Sequence, residues 1–540
     1  MKRWYSTVAV IIACVVSWSG AWAEDATGIV YNDTNGNGVR DAGERGISGA
    51  LVSNGVDIVA TDKAGHYSIS VTDDTIVFLI KPRGWMTPIG PDNTIPRFYY
   101  IHKPKGSPPM KYAGVPPTGP LPPSIDFPLH RRREPERFRV ICFGDTQTRD
   151  VEEVEFLTHD ILEDLVGTDA AFGITLGDNV FNDLTVFEPL LPALSYMGIP
   201  WRCVPGNHDH NHDAPTTEAT DDTFERFLGP SYYAFDYGPV HFIVLNDIRH
   251  DAGQDEYHGG LGPRQMAFVK NDLSHVSQKK LVALLMHIPV TGLDDRNELY
   301  ALLKEFPHTF SLSAHEHSQQ HVFVDAAQGW TQQTPHHLLI HATACGSWWG
   351  GVFNERGIPI ATMGDGGPNG YSIITFDRAK YSVEFRPADQ AADYQMNIWL
   401  PDRITAADLK TAQSIVNVFA GSNRSRVEMQ MDGAGTWKPM EMFRGKDPYF
   451  VQLRGRETAL LAKLAEAKGI KPDDKAFVRQ AREDLKPVLR FLTEPHDTEH
   501  LWRASLPAIL AAGPHTLYVR TTDMFGHTYR AKRIFVVTEK

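Results

Sequence analysis

Apolar and polar side chains alternate with a period of two over Tyr67-Ser68-Ile69-Ser70-Val71, the pattern of a half-buried strand. Shorter apolar runs flank it at Ala50-Leu51-Val52-Ser53 and Ile76-Val77-Phe78-Leu79-Ile80, separated by Gly, Asn and Asp turns. Residues 25 to about 100 therefore read as all-β. Nine of the 36 prolines then fall within 101–130. Regular structure does not survive that density, so an extended linker or wrap-around segment is expected. From about 137 to 386 apolar strands alternate with helical stretches, as in Phe138–Phe143, Val151–Leu165 and Ala171–Leu176. That alternation predicts an α/β layered domain. Beyond 400 the period returns to two: Val427, Met429 and Met431 interleave with Arg426, Glu428 and Gln430. Leu517–Val519 and Ile534–Val537 read as further strands. Between them, 456–491 reads as two amphipathic helices, with Leu461, Leu464 and Ala465 at helical spacing and Gly469 and Pro472 as punctuation. The division expected is 24–130, 131–395 and 396–540, with two all-β, sandwich-like domains flanking the α/β domain.

Residues 1–23 are set apart. Lys2-Arg3 precedes an apolar run from Thr7 to Trp18, and Ala21-Trp22-Ala23 supplies small residues at a cleavage point. This predicts a signal peptide cut after Ala23 and a periplasmic or secreted mature chain. No later apolar run reaches membrane-spanning length. The net charge of −13 argues against non-specific nucleic-acid binding, which needs Lys and Arg to neutralise phosphates. Cys142, Cys203 and Cys345 are too few for a disulfide framework and read as buried thiols. Arg131-Arg132-Arg133 reads as a solvated basic face.

Residues 33–44 read Asp-Thr-Asn-Gly-Asn-Gly-Val-Arg-Asp-Ala-Gly-Glu. Asp33, Asn35, Asn37, Asp41 and Glu44 place side-chain oxygens at positions 1, 3, 5, 9 and 12 of a calcium loop. Val39 offers its carbonyl at position 7, and Gly38 occupies the sharp turn at position 6. No amphipathic helices flank the loop, so one structural calcium is expected within a β domain. The other reading is an Asn/Gly-rich turn without an ion. The region resembles bacterial extracellular β-sandwich modules that carry such loops.

Five polar segments in the α/β region each follow an apolar run: Gly144-Asp145-Thr146-Gln147, Gly177-Asp178-Asn179, Gly206-Asn207-His208-Asp209, Met286-His287-Ile288 and Ala314-His315-Glu316-His317. In open α/β sheets the carboxyl ends of strands gather ligands. Oxygen and imidazole donors in this number suit two divalent cations, which can clamp a displacement at phosphorus.

In these five segments, in this order over 144–317, the chain resembles the calcineurin-like metallophosphoesterases. The resemblance implies a four-layer α/β/β/α sandwich and a pair of metals. Asp145, Gln147, Asp178 and His317 would hold one ion. Asp178, Asn207, His287 and His315 would hold the other, with Asp178 bridging. His208 would act as general acid, with Asp209 holding its ring. Gln147 stands where the family usually has His, which weakens the first site and favours Mn or Mg over iron, with Zn also open. Ala314 replaces a usual Gly and is tolerated if its backbone lies outside the left-handed region. The mechanism expected is in-line attack by a metal-activated water, with His208 protonating the leaving alcohol.

Larger exported members also resemble this chain around Gly346-Ser347-Trp348-Trp349-Gly350 and Met363–Tyr371. On that likeness Trp348, Trp349, Asp365 and Asn369 would line the substrate pocket, and Asn179 is a further candidate for it. The other reading of the 345–371 stretch is a core turn under the metal site. His210 and His212 read as solvated loop histidines, and His336, His337 and His341 as packing or surface residues.

Three functional readings follow: a hydrolase of phosphate mono- or diesters, a metal-containing binding protein for a phosphorylated or glycan ligand with weak or no turnover, and a scaffold whose β domains do the work. Lipid headgroups, nucleotides and sugar phosphates all satisfy the first.

Overall fold

The computed structural model describes residues 24–90, 94–250 and 256–539. The leader expected over 1–23 lies outside the described residues. The N-terminal region forms two four-stranded sheets. In the first, Glu24–Asn32 pairs antiparallel with His66–Val71 and parallel with Phe127–Arg131. Tyr67, Ile69 and Val71 point inward and their polar neighbours outward, as the alternation predicts. In the second sheet, Thr75–Ile80 is buried on both faces. One face packs within its own sandwich, and Phe78 meets Phe268 of the helix Gly262–Leu273 edge-on, with ring centroids 5.6 Å apart.

Little of the proline-rich stretch is regular before the strand Phe127–Arg131, and it runs along the α/β domain. Lys111 donates its backbone N–H to Asp213, and the Tyr112 carbonyl accepts from Thr223. Lys103 forms ion pairs with Asp222 and Asp74. Lys81 ties three segments together. Its buried ammonium donates to Glu134 at 2.6 Å and to the Asp236 carbonyl at 2.7 Å.

The α/β domain is the four-layer sandwich. The first sheet runs Trp201–Val204, Gly173–Leu176, Arg137–Phe143, Gly370–Asp377, Lys380–Pro387, the first three parallel and the last two antiparallel. The second runs Tyr233–Tyr237, Val240–Val244, Leu281–Leu285, Thr309–Ser313, His336–Ile340, Gln320–Val324, with four parallel strands between two antiparallel edges. The parallel strands are buried on both faces because each is covered on both. Val140, Ile174, Phe242 and Leu284 fill the space between the sheets. Ile141, Phe143, Leu157 and Leu190 pack the outer helices onto the first sheet. The helical stretch expected over 151–165 is continuous but changes pitch: α over Val151–Leu157, π over Thr158–Leu162 and 3₁₀ over Glu163–Leu165.

The C-terminal region holds a four-stranded and a five-stranded sheet around Val416, Trp502, Val519 and Phe535. Its first helix begins at Pro448, ahead of the expected 456. Asp447 accepts from the Phe450 N–H as N-cap, and Pro448 takes the first position, where a missing N–H costs nothing. Gly469 ends it in the left-handed region, and Lys475–Leu485 forms the second helix. Among the described residues no helix is long and apolar enough to cross a membrane.

Glu134→Ala would strand the buried Lys81 ammonium. It is expected to cost about 3–5 kcal/mol in urea unfolding, with Glu134→Gln costing less. A loss below about 1 kcal/mol would show that Lys81 does not pin these segments.

Candidate metal centre

Parallel pairing brings the C-terminal ends of Arg137–Phe143, Gly173–Leu176 and Trp201–Val204 to one edge of the first sheet. The ends of Leu281–Leu285 and Thr309–Ser313 share an edge of the second. A bridge between Gly144 and Thr343 joins the sheets at this level. All five polar segments therefore open on one place. Two glycines allow the approach: a Cβ on Gly206 would lie 2.1 Å from the Asp178 nitrogen, and one on Gly177 would lie 2.5 Å from His287 Nδ1.

The donor atoms face one another. His287 Nε2 lies 3.1 Å from Asn207 Oδ1, 3.1 Å from His315 Nδ1 and 3.3 Å from Asp178 Oδ2. Asp178, His287 and His315 offer ligand atoms that all lie within 4.8 Å of one another. The Nδ1 of His287 is 2.8 Å from the Leu176 carbonyl, and that of His317 is 2.8 Å from the Gly346 carbonyl. Each Nδ1 must carry a hydrogen to make that bond, which turns Nε2 toward the cluster as the donor. His317 Nε2 lies 3.2 Å from Asp145 Oδ2, a buried oxygen with no hydrogen-bond partner. An orphaned carboxylate oxygen among converging nitrogens fits a cation.

Backbone strain concentrates here. Of the twelve non-glycine residues with positive φ among the described residues, seven are Gln147, Asp178, Asn182, His315, His317, Trp348 and Trp349. Such conformations cost on the order of 1–3 kcal/mol each and persist where surrounding structure enforces them. Ala314 is not among them, so the absent glycine leaves no strain there. Gln147 turns its Nε2 to Asp178 Oδ2 at 3.1 Å, while its Oε1 lies 3.6 Å from Cys345 Sγ. Its amide oxygen reaches the cluster only after a flip of the carboxamide. Cys142, Cys203 and Cys345 are all buried free thiols.

His208 sits beside the cluster, its Nε2 4.0 Å from Asp178 Oδ2. The expected partner of its ring is corrected. Asp209 turns away and accepts from the N–H groups of Gly206, Asn179 and Val180 and from the Asn179 side chain. Asn182 takes that place: its Oδ1 lies 2.8 Å from His208 Nδ1. Phe181 stacks on the imidazole at 4.3 Å, and the Arg149 guanidinium lies over Phe181 at 4.8 Å. Nothing in the motif order marks Asn182, Phe181 or Arg149. Burial lowers the His208 pKa, and the charge of Asp178 opposes that shift.

The pocket wall is also corrected. Trp348 stacks on His317 at 4.1 Å and stays partly exposed. Trp349 is fully buried, packs on Phe156 and donates to the Thr146 carbonyl. Asp365 accepts from the Gln319 and Gly367 amides, with His500 at 3.2 Å, and Asn369 donates to Asp160 and the Ala344 carbonyl. Asn179 spends its side chain on Asp209, Thr175 and the Val204 carbonyl. These four support the loops and do not face a substrate. His210 is 1% exposed, not a solvated loop residue. His336, His337 and His341 are buried.

Away from this centre, the loop Asp33–Glu44 closes on hydrogen bonds of its own. Asn35 and Asn37 both donate to Asp41, and Glu44 accepts from the Thr34 and Asp41 amides. Burial alone would raise the Asp33 carboxyl, but the amides of Gly38 and Gly36 hold it below its ordinary value.

Burial disfavours a charged His287, yet Asp178, then Asp145 and Asp247, raise it to about 10. Without a cation the ring therefore keeps a proton that a metal must displace. Metal affinity should rise as pH climbs from 6.5 toward about 10. Over the same window the cation-free chain should lose the stability that the charged ring contributes. Calorimetry in two buffers of different ionisation enthalpy reads the released proton, and zero release would remove it.

Models of the calcineurin-like phosphoesterase match the chain in three parts: its N-terminal region at residues 34–112, its catalytic region at 138–319 and its C-terminal region at 339–529. No curated protein matches. Among solved structures, the purple acid phosphatase PPD1 from yellow lupin (Lupinus luteus) seeds is similar at 12% identity. That likeness covers 68% of this chain and 67% of that one, with a TM-score of 0.34. With the strand-end donor set inside the matched catalytic region and both flanking regions matched in order, the chain belongs to the calcineurin-like phosphoesterase family.

Proposed function

We propose that the protein is an exported, two-metal hydrolase of a phosphate mono- or diester. The observation that carries this reading is the convergence of Asp178, Asn207, His287 and His315 on one point, with the far nitrogen of His287 tied to a carbonyl. Asp145 and His317 extend the donor set toward a second ion, with Gln147 after a carboxamide flip. Bound divalent cations supply Lewis acidity toward phosphoryl oxygens and lower the pKa of coordinated water, with Mn favoured by the oxygen-rich set.

The chain's own groups then act on the leaving side. Asn182 fixes the Nδ1–H of His208, which leaves Nε2 facing the centre. An anionic phosphoryl group beside that ring offsets its burial and favours the charged form, so Nε2 can hand a proton to the departing alcohol. Phe181 and Arg149 limit rotation of the ring. The Trp348 indole over His317 offers an apolar face to whatever alcohol carries the phosphate. The leader read over 1–23 supports export, and the spacing of Asp33, Asn35, Asn37, Asp41 and Glu44 around one loop supports one structural calcium.

One observation favours the alternative of a weak or inactive binding protein: the inward-facing nitrogen of Gln147 leaves the first site short of an oxygen donor. Turnover separates the two. With Mn present, the chain should release p-nitrophenol from p-nitrophenyl phosphate or its bis ester. His208→Ala should lower kcat by about 10²–10⁴, and Asn207→Ala should abolish turnover. No release by the wild type, or full activity in His208→Ala, would overturn the reading. Calcium added to the chelator-stripped chain should raise its melting midpoint, and Asp33→Ala should remove that rise.

A further inference from the structure

Three histidines outside the donor set lie next to it. His210 and His212 follow the turn at Asn207–Asp209, and His250 ends the strand Ile248–His250. The His250 ring centroid is 5.2 Å from that of His210 and 5.0 Å from that of His212. Tyr257 links this group to the metal centre, with its ring 5.6 Å from His250 and 6.1 Å from His315.

Packing alone does not account for the rings of His210 and His212. His210 is buried, and neither of its ring nitrogens has a hydrogen-bond partner. His212 Nε2 is in the same condition. A buried polar group left unsatisfied costs about 1–3 kcal/mol, so these nitrogens lack the partner their burial demands. Burial, then the neighbouring His250 and His212, keeps His210 uncharged. Neutral imidazoles present lone pairs, and lone pairs of nitrogen suit a borderline divalent cation. Two imidazoles on one tetrahedral zinc, with bonds of about 2.0–2.1 Å, hold their ring centroids about 5 Å apart. The separations from His250 to its two neighbours have that size. The nearby Asp178 carboxylate adds a field that favours positive charge.

We propose that His210, His212 and His250 form a further cation site, distinct from the dinuclear donor set, that takes a borderline divalent metal such as zinc. Three imidazole ligands leave a fourth position for water or a substrate oxygen. The donors are spread more widely than those of Asp178, His287 and His315. Binding therefore draws the half-buried His212 ring inward.

The test uses the full chain, dialysed against zinc with calcium in excess to fill oxygen-only sites, and elemental analysis of bound metal. The His212→Ala chain should hold one zinc fewer than the wild type. In an Asp178→Asn/His287→Asn chain, which disables the dinuclear centre, one zinc should remain, and adding His212→Ala should remove it. Cobalt in that background should give the strong visible absorption of a tetrahedral site. Unchanged zinc content in His212→Ala overturns the proposal, even if the double variant does not fold. Metal-independent binding of inorganic phosphate that is lost in His212→Ala also overturns it, by assigning the rings to an anion. Because the double variant lacks the dinuclear donors, failure of the two-metal hydrolase leaves this readout unaffected.

Discussion

The structure turns on one electrostatic constraint: Asp145, Asp178, His287, His315 and His317 crowd their acceptor atoms into a space from which water is largely excluded. Carbonyls at Leu176 and Gly346 take the spare N–H of two of the imidazoles. That leaves lone pairs facing lone pairs, an arrangement that repels unless positive charge sits among them. Without a cation, a proton shared through His287 serves that purpose; with one, the same geometry is a coordination shell. The left-handed backbone at Gln147, Asp178, His315 and His317 is the strain the fold tolerates to aim those side chains.

Holding strained loops needs support from behind, and the flanking regions provide it. The C-terminal sandwich sends His500 to Asp365, whose carboxylate also accepts the Gln319 amide, two residues beyond His317. Arg490 from the same region pairs with Glu153 at the start of the helix that follows Gln147. On the other side Lys81 locks the N-terminal sheets to the α/β domain. The outlying β regions thus buttress loops that carry donors, which ties the three matched regions into one mechanical unit.

Much of the site was legible because each segment is a local signal at a strand end, where parallel pairing supplies convergence without further information. Asp145, Asp178, Asn207, His287, His315 and His317 follow in order from the chain alone. Adjacency misled where side-chain direction mattered. Asp209 follows His208 in the chain, yet the tight turn points the two side chains apart, and Asn182 from another loop meets the ring instead. Trp348 and Trp349 both adopt left-handed backbone, which sends one over His317 and the other into the core. The polar neighbours of His210 predict a solvated ring, but the ring is buried beside His250.

By itself the sequence determined the three-part architecture, the strand-end donor set and the spacing of oxygen-bearing residues over 33–44, since periodicity and short-range spacing are properties of consecutive residues. Only the tertiary structure decided which group holds His208, which tryptophan reaches the site, and that three further histidines gather beside it. Those outcomes depend on contacts between residues tens to hundreds of positions apart, and on the direction each backbone turn gives a side chain.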